Sequence, residues 1–260
     1  MKTALVTGAS RGIGYEFSNI LGREGYNLVL VSRNKKKLKE IKDEFENKYK
    51  VKVIYFEIDL SGENSAFKLY KKIKDDKIEI DVLINNAGFG DYGEFIKTDW
   101  QKEKEMIELN VVALTHLTKL FSKDMVSRKN GMILNVASMA GFLPGPLMTI
   151  YYSTKAYVVS FSQAVNNELK GTGVSVTVLC PGPTQSGFQY HANMNQSKLV
   201  KGIKLVSAKE VAEYGYKSMI KKKSVAINGV RNKFAIFLIR FAPRDFVTWF
   251  SRKVLERRRV

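Results

Sequence analysis

Cysteine is almost absent from this chain. Cys180 stands alone, so no internal disulfide can form, as expected for a protein of a reducing cytosol. It lies in the apolar run "VTVLC", which favours a buried, inert thiol over a nucleophile. Histidine is scarce as well: His116 and His191 have no catalytic partner by motif, and no His/Cys spacing suits zinc, so no metal site is expected. No apolar run approaches the roughly 18 residues of a membrane span. The start, "MKTALVTG", enters an apolar run without a charged leader, and the expected location is therefore the cytoplasm. Acids are few, 25 against 43 Lys and Arg, giving a net charge of +18. The lysines are scattered over segments that read as solvated helix faces. With no aromatic-basic signature, repeat or low-complexity tract, nucleic acid is not the expected partner.

What is present is a regular alternation. Hydrophobic residues make up 45% of the 260, enough for a full core. Short runs rich in Val, Ile and Leu, at 2–8, 27–33, 51–60, 80–88, 131–138, 174–182 and, more weakly, 224–228, predict strands. Most lack strict alternation, as strands covered on both faces do. Helical patterns fill the gaps at about 10–24, 34–48, 63–76, 98–125, 150–170 and 208–221. This order predicts an α/β fold: a single doubly wound, Rossmann-type domain over 1–230, with a seven-stranded parallel sheet flanked by helices. Residues 231–260 read as a basic C-terminal helical appendage. Polar and glycine-rich positions fall at the carboxyl ends of the predicted strands, where open sheets of this type bind ligands.

The first strand ends in "TGASRGIG" (7–14) and runs directly into a helix. Gly8, Gly12 and Gly14 let backbone turn sharply and approach a pyrophosphate, and the helix start offers unpaired N–H groups to that anion. Ser10, Arg11 and Ile13 complete the turn. A site selecting NAD usually carries an acid about 20 residues further on. Here the second strand ends "SRNKKK", with Arg33 in place of that acid and Arg11 nearby. Two guanidinium groups favour a 2′-phosphate, so the expected cofactor is NADP(H). Lys35 to Lys37 read as a solvated helix start.

Residues 151–155 read "YYSTK". A phenol one helical turn before an ammonium group is a way to build a proton donor. At about 100° per residue, helix geometry places either Tyr151 or Tyr152 within reach of Lys155. Together with "TGASRGIG", "NNAG" (85–88), Asn110 and Ser138, this stretch resembles the short-chain dehydrogenase/reductase family over roughly residues 1–190. "NNAGFG" and "GTGVSVTVLCPGP" (171–183) are similar to an NADP-linked branch near the hydroxysteroid and ketoacyl reductases.

The resemblance implies a catalytic set of Asn110, Ser138, Tyr151 and Lys155. The family keeps twelve residues between its serine and its tyrosine, and residues 139–150 between Ser138 and Tyr151 number twelve, which selects Tyr151. A free phenol has a pKa of about 10, and a neighbouring ammonium can lower that value by about 1–3. Ser138 would bind the substrate oxygen, Lys155 the nicotinamide ribose, and Asn110 a water leading to solvent. Cofactor contacts are implied for Asp59 and Leu60 at the adenine, for Asn86, Ala87 and Gly88 below its ribose, and for Pro181, Gly182, Thr184 and Ser186 at the nicotinamide end. Relatives usually have threonine where Ser186 stands.

Phe142, Leu143, Met148, Phe188, Tyr190 and Met194 predict an apolar pocket for a hydrophobic ketone, aldehyde or alcohol. The reading is an NADP(H)-dependent carbonyl reductase. Its alternatives are a ketoacyl-carrier-protein or ketoacyl-CoA reductase and a non-catalytic NADP(H) sensor. The resemblance also implies a homodimer or homotetramer built on helices 98–125 and 150–170. The tail 231–260 holds nine Lys/Arg against two Asp/Glu, with a helical stripe of Phe246, Val247, Phe250 and Val254. It reads as a lid or oligomer surface, a peripheral membrane contact, or a docking surface for an acidic carrier.

Overall fold

The computed structural model describes residues 1–187 and 205–256. Among them the strands are β1 (Thr3–Thr7), β2 (Asn27–Ser32), β3 (Val53–Glu57), β4 (Val82–Asn85), β5 (Gly131–Val136), β6 (Val174–Cys180), β7 (Thr184–Gln185), β8 (Val206–Ser207) and β9 (Val225–Ile227). All but β7 and β8 form one parallel sheet in the order β3-β2-β1-β4-β5-β6-β9, while β7 and β8 pair beside it. The seven expected strands are all present. Each is trimmed at its carboxyl end, where the chain leaves the sheet to build the site.

Helices α1 (Gly12–Arg23), α2 (Lys35–Tyr49) and α7 (Ala208–Ile220) cover one face of the sheet. Helices α3 (Ser65–Asp75) and α5 (Leu114–Ser127) cover the other, with α6 (Thr149–Glu168) beside them. This double cover explains the unbroken apolar runs: residues 28–31 of β2 and 82–85 of β4 are buried throughout. Close packing of neighbouring helices in one layer needs small residues. A Cβ on Gly215 would stand 2.7 Å from the Phe17 ring, so glycine is what lets α7 lie against α1.

The expected helix at 98–125 is interrupted. Helix α4 (Trp100–Ile107) passes into a π-helical turn, Glu108–Ala113, before α5 begins. Such turns arise by inserting one residue into the helical ladder, and no residue type announces them. Two helices end the described chain, α8 (Val230–Ile239) and α9 (Arg244–Leu255). They rest on the body through Ile236, Val247, Ser251 and Leu255.

Candidate active site

A cleft of about 1030 Å³ opens along the carboxyl ends of the strands, on both sides of the junction between β1 and β4. At that junction strand order reverses direction, the place where open α/β sheets bind ligands. One end of the cleft is cationic and polar, and the other is aromatic and aliphatic.

The glycine turn begins the polar end. Gly8 has φ +65°, and a Cβ there would meet the Asn86 amide at 2.8 Å and the Ala87 backbone at 3.0 Å. Gly12 also has a positive φ, +55°, and lies against Ser186. Gly14 faces away from the cleft: a Cβ on it would stand 2.3 Å from the Gly8 carbonyl oxygen. Its glycine identity therefore serves the packing of helix under turn. Helices α2, α4 and α7 are capped by Asn34, Asp99 and Ser207 side chains, whereas Arg11 at the head of α1 supplies no side-chain cap. The start of α1 abuts the cleft, where its N-terminal amides and positive dipole end suit an anion. Ser10, Arg11 and Ile13 line the cleft at this point.

Asn86 holds the turn in shape. Its amide donates to the Thr7 carbonyl at 3.0 Å and to the Gly8 carbonyl at 3.3 Å. The Thr7 hydroxyl accepts from the backbone of both Asn86 and Ala87. Asn86, Ala87 and Gly88 all line the cleft, with the Asn86 amide held on the Thr7 and Gly8 carbonyls. Below, the Asn85 amide donates to Thr118 at 3.0 Å and to Asn135 at 2.9 Å, tying β4 to α5 and β5 in the core.

Arg33 and Asp59 form an exposed pair at 3.5 Å, and Asp59 also accepts from the Ser61 backbone and hydroxyl. Burial raises the Asp59 pKa, but the hydrogen bonds from Ser61 and the charge of Arg33 outweigh it and leave the carboxyl below its usual range. Arg11 is pulled below its ordinary value by burial and then by the charge of Arg33. Two cations therefore converge on one corner, where a bound anion relieves their repulsion. Leu60 lines the cleft beside them. Sequence reasoning placed Lys35 to Lys37 in solvent, yet Lys35 and Lys37 reach the cleft rim. Both stand in the first turn of α2, exposed like Lys36, and carried no signal separating them from it.

Ser138, two residues beyond β5, has its hydroxyl fixed by a 3.1 Å bond from the Ala140 amide. The same hydroxyl hydrogen-bonds the Tyr151 phenol. Lys155, one turn along α6, is 5% exposed. It donates to the Val136 carbonyl at 2.9 Å, with its Nζ 5.8 Å from the centre of the Tyr151 ring. The expectation that Lys155 would draw the phenol pKa down is not met in this arrangement. Burial pushes Tyr151 up to about 12, against the bond to Ser138. Burial also pulls Lys155 down to about 8, opposed by the Cys180 thiol, which is itself raised to about 12.

Asn110 lies inside the π-helical turn with no exposed surface, and outside the cleft lining. Its amide donates to the Phe89 carbonyl at 3.0 Å and to the Thr154 hydroxyl at 3.1 Å, and its oxygen accepts from the Phe89 amide at 3.2 Å. Its donors are therefore committed to protein. The oxygen and Lys155 Nζ both face the space beside Gly88, where a Cβ would stand 2.9 Å from the first and 3.4 Å from the second.

Pro181, Gly182, Thr184 and Ser186 form the cleft wall after β6, and the Thr184 hydroxyl donates to the Gly182 carbonyl at 2.8 Å. Leu143 and Met148 line the apolar end, whereas Phe142 packs with Val158 and Cys180. Phe188, Tyr190, His191 and Met194 lie outside the described residues. The tail, whose sequence allowed a lid, an oligomer surface, a membrane contact or a carrier-docking surface, contributes a cleft wall through Phe250, Ser251, Val254 and Leu255 of α9. Leu255 packs with Met148, Tyr151 and Tyr152, and its carbonyl accepts from the Tyr92 hydroxyl at 2.9 Å. The stripe of Phe250 and Val254 was the available signal.

Residues 2–197 match the family described as short chain dehydrogenase. The chain belongs to the short-chain dehydrogenase family. Among curated relatives of this dehydrogenase, the very-long-chain 3-oxoacyl-CoA reductase-B of Danio rerio is 38% identical over 186 residues, covering 69% of this chain and 58% of that one. The very-long-chain 3-oxoacyl-CoA reductase of Rattus norvegicus is 36% identical over 184 residues, covering 68% and 58%. The match thus spans less than two thirds of these relatives. Among solved structures, a short-chain dehydrogenase from Sphingobium yanoikuyae in complex with NADPH is 28% identical with a TM-score of 0.82, covering 93% of this chain and 94% of that one. The bulky-bulky ketone specific alcohol dehydrogenase of Comamonas testosteroni is likewise 28% identical, with a TM-score of 0.79 and coverage of 93% and 92%.

Proposed function

We propose that this short-chain dehydrogenase reduces the ketone of a long-chain 3-oxoacyl thioester, or a similarly bulky apolar ketone, with NADPH. The observation that carries the reading is the Ser138–Tyr151–Lys155 cluster at the boundary between the cationic and the apolar ends of one cleft. The relatives that reduce 3-oxoacyl-CoA and the neighbour solved with NADPH support it.

The residues present fit NADPH. The uncapped start of α1 and the side-chain-free Gly8 and Gly12 suit its pyrophosphate, and Arg11 and Arg33 suit a 2′-phosphate. When bound, NADPH supplies the hydride. Ser138 donates to the substrate carbonyl oxygen and stabilises the charge that develops there. Tyr151 gives its proton to that oxygen. Burial pushes the phenol up to about 12, so it carries its proton across the neutral range and has one to give. Lys155, charged below about pH 8, supplies the adjacent positive field. The Asn110 oxygen lies beside Gly88 with Lys155 Nζ, so Asn110 helps hold the backbone next to the ammonium. The enclosed apolar wall of Leu143, Met148, Tyr152 and Val254 suits an acyl chain.

NADPH oxidation measured against 3-oxoacyl-CoA of increasing chain length and against bulky aromatic ketones tests the proposal. Turnover should rise with chain length and fall about 10²–10⁴-fold in Tyr151→Phe. Equal turnover in that variant would overturn the mechanism. Turnover confined to short polar ketones would overturn the substrate class. Exposed Val112 and Tyr157, on the surface formed by the π-helical turn and α6, support a homo-oligomer built on this face.

A further inference from the structure

Helix α8 reads VRNKFAIFLI and is apolar around most of its circumference, yet among its ten residues only Ile236 is buried. A helix of this character is normally covered on all sides. Here Phe234 is 61% exposed, Phe241 just beyond its end 74%, and Trp249 on the following helix α9 57%. Exposed aromatic residues grouped in this way mark an interaction surface. The segment 230–256 carries Arg231, Lys233, Arg240, Arg244, Arg252 and Lys253 against Asp245 and Glu256, the last of which pairs with Arg252 and Lys253.

The charge decides what covers this surface. In an isologous contact with a second copy, the patch would meet itself and bring its cations together. An anionic lipid surface instead offers opposite charge to the arginines and lysines and a hydrocarbon boundary to the aromatic rings. No helix among the described residues is long and apolar enough to cross a membrane, so the contact is one of lying on the surface. The patch is also continuous with the cleft: Phe250 is 54% exposed at the surface and lines the cleft on its inner side, next to Val254.

We infer that α8 and α9 seat the protein on an anionic bilayer, with the mouth of the apolar end of the cleft directed at the lipid. An apolar substrate then passes from the bilayer past Phe250 to Tyr151 without crossing water. The seating does not depend on the reductase proposal. The route of entry does, and the two are read separately below.

Cosedimentation of the full chain with vesicles of phosphatidylcholine alone, or mixed with phosphatidylserine, tests the inference. The variant is Phe234→Asp/Phe241→Asp, at two exposed residues outside the cleft. The chain should pellet with the phosphatidylserine vesicles, and less so at high salt. The double variant should bind them about tenfold or more weakly. NADPH-dependent reduction of a water-soluble ketone should be equal in the two proteins, which shows that the variant is folded and assays the reductase reading by itself. Failure of wild type to pellet, or pelleting unaffected by the double variant, would overturn the seating. So would a concentration-dependent dimer that the variant abolishes while neither protein binds vesicles, an outcome assigning the face to a second copy. Reduction of a vesicle-embedded ketone that is equally fast in both proteins, despite lost binding, would overturn the route of entry.

Discussion

Tyr151 and Tyr152 are adjacent, both rings line the cleft, and they meet edge to face at 6.0 Å. Only Tyr151 bonds Ser138. The Tyr152 ring lies over Gly145, where a Cβ would fall 2.1 Å from it, so its part is to pack the apolar wall. Tyr152→Phe keeps that ring and should leave kcat within about threefold of wild type, against the loss of orders of magnitude expected in Tyr151→Phe. Steady-state assays of the two variants side by side check the assignment. Lys155 allows a second test, by linkage. Its folded value of about 8 lies below the ordinary 10.5, so between these values the unfolded chain binds more protons. Stability therefore rises with pH across that window. Relative to Lys155→Met, the wild-type protein without cofactor should gain about 2 kcal/mol between pH 7 and pH 10 in urea melts. No difference in pH slope between the two would show that Lys155 is not desolvated.

At the scale of elements, what was legible depended on whether a residue type announces its own geometry. The glycine turn was legible because Gly8 and Gly12 adopt φ values that other residues avoid. The strands were legible because double cover makes them uniformly apolar. The π-helical turn was not, since Asn110 owes its position to one extra residue in a helical ladder. The phenol and ammonium values were not either, because burial dominates both and only packing reveals burial. Helix α9 lies between these cases. Its stripe could be seen, but its partner could not, because Leu255 reaches Tyr92 across 163 residues of sequence. This helix closes the apolar end of the cleft, so enlarging a residue on its inner face should shorten the chain the site accepts. Val254→Trp should lower kcat/KM for the longest 3-oxoacyl-CoA by about tenfold or more while leaving the KM for NADPH unchanged. A chain-length series measured in both proteins reads this directly, and a uniform loss at all lengths would remove α9 from the specificity wall.

At the scale of the whole molecule, a net charge of +18 sets a field that acts before any contact forms. Lys35, Lys37, Arg11 and Arg33 place part of that charge at the rim of the cofactor end, where Arg33 pairs with Asp59 and Lys37 with Glu40. A cofactor bearing a 2′-phosphate feels both the general field and this local excess, whereas NADH lacks the group that the local cations address. Salt screens such exposed charges over about 10 Å at 0.1 M, and the distance shortens as ionic strength rises. Raising ionic strength from about 0.05 to 0.5 M should therefore weaken NADPH binding by about tenfold, and NADH binding by clearly less. Arg33→Asp should remove most of the difference between the two salt slopes, because it deletes a local cation and leaves the general field nearly intact. Fluorescence titration of both cofactors across a salt series, in wild type and variant, separates the contributions. Equal slopes for NADPH and NADH in the wild-type protein would mean that the local arginines do not read the 2′-phosphate, and the preference would then have to come from elsewhere in the cleft.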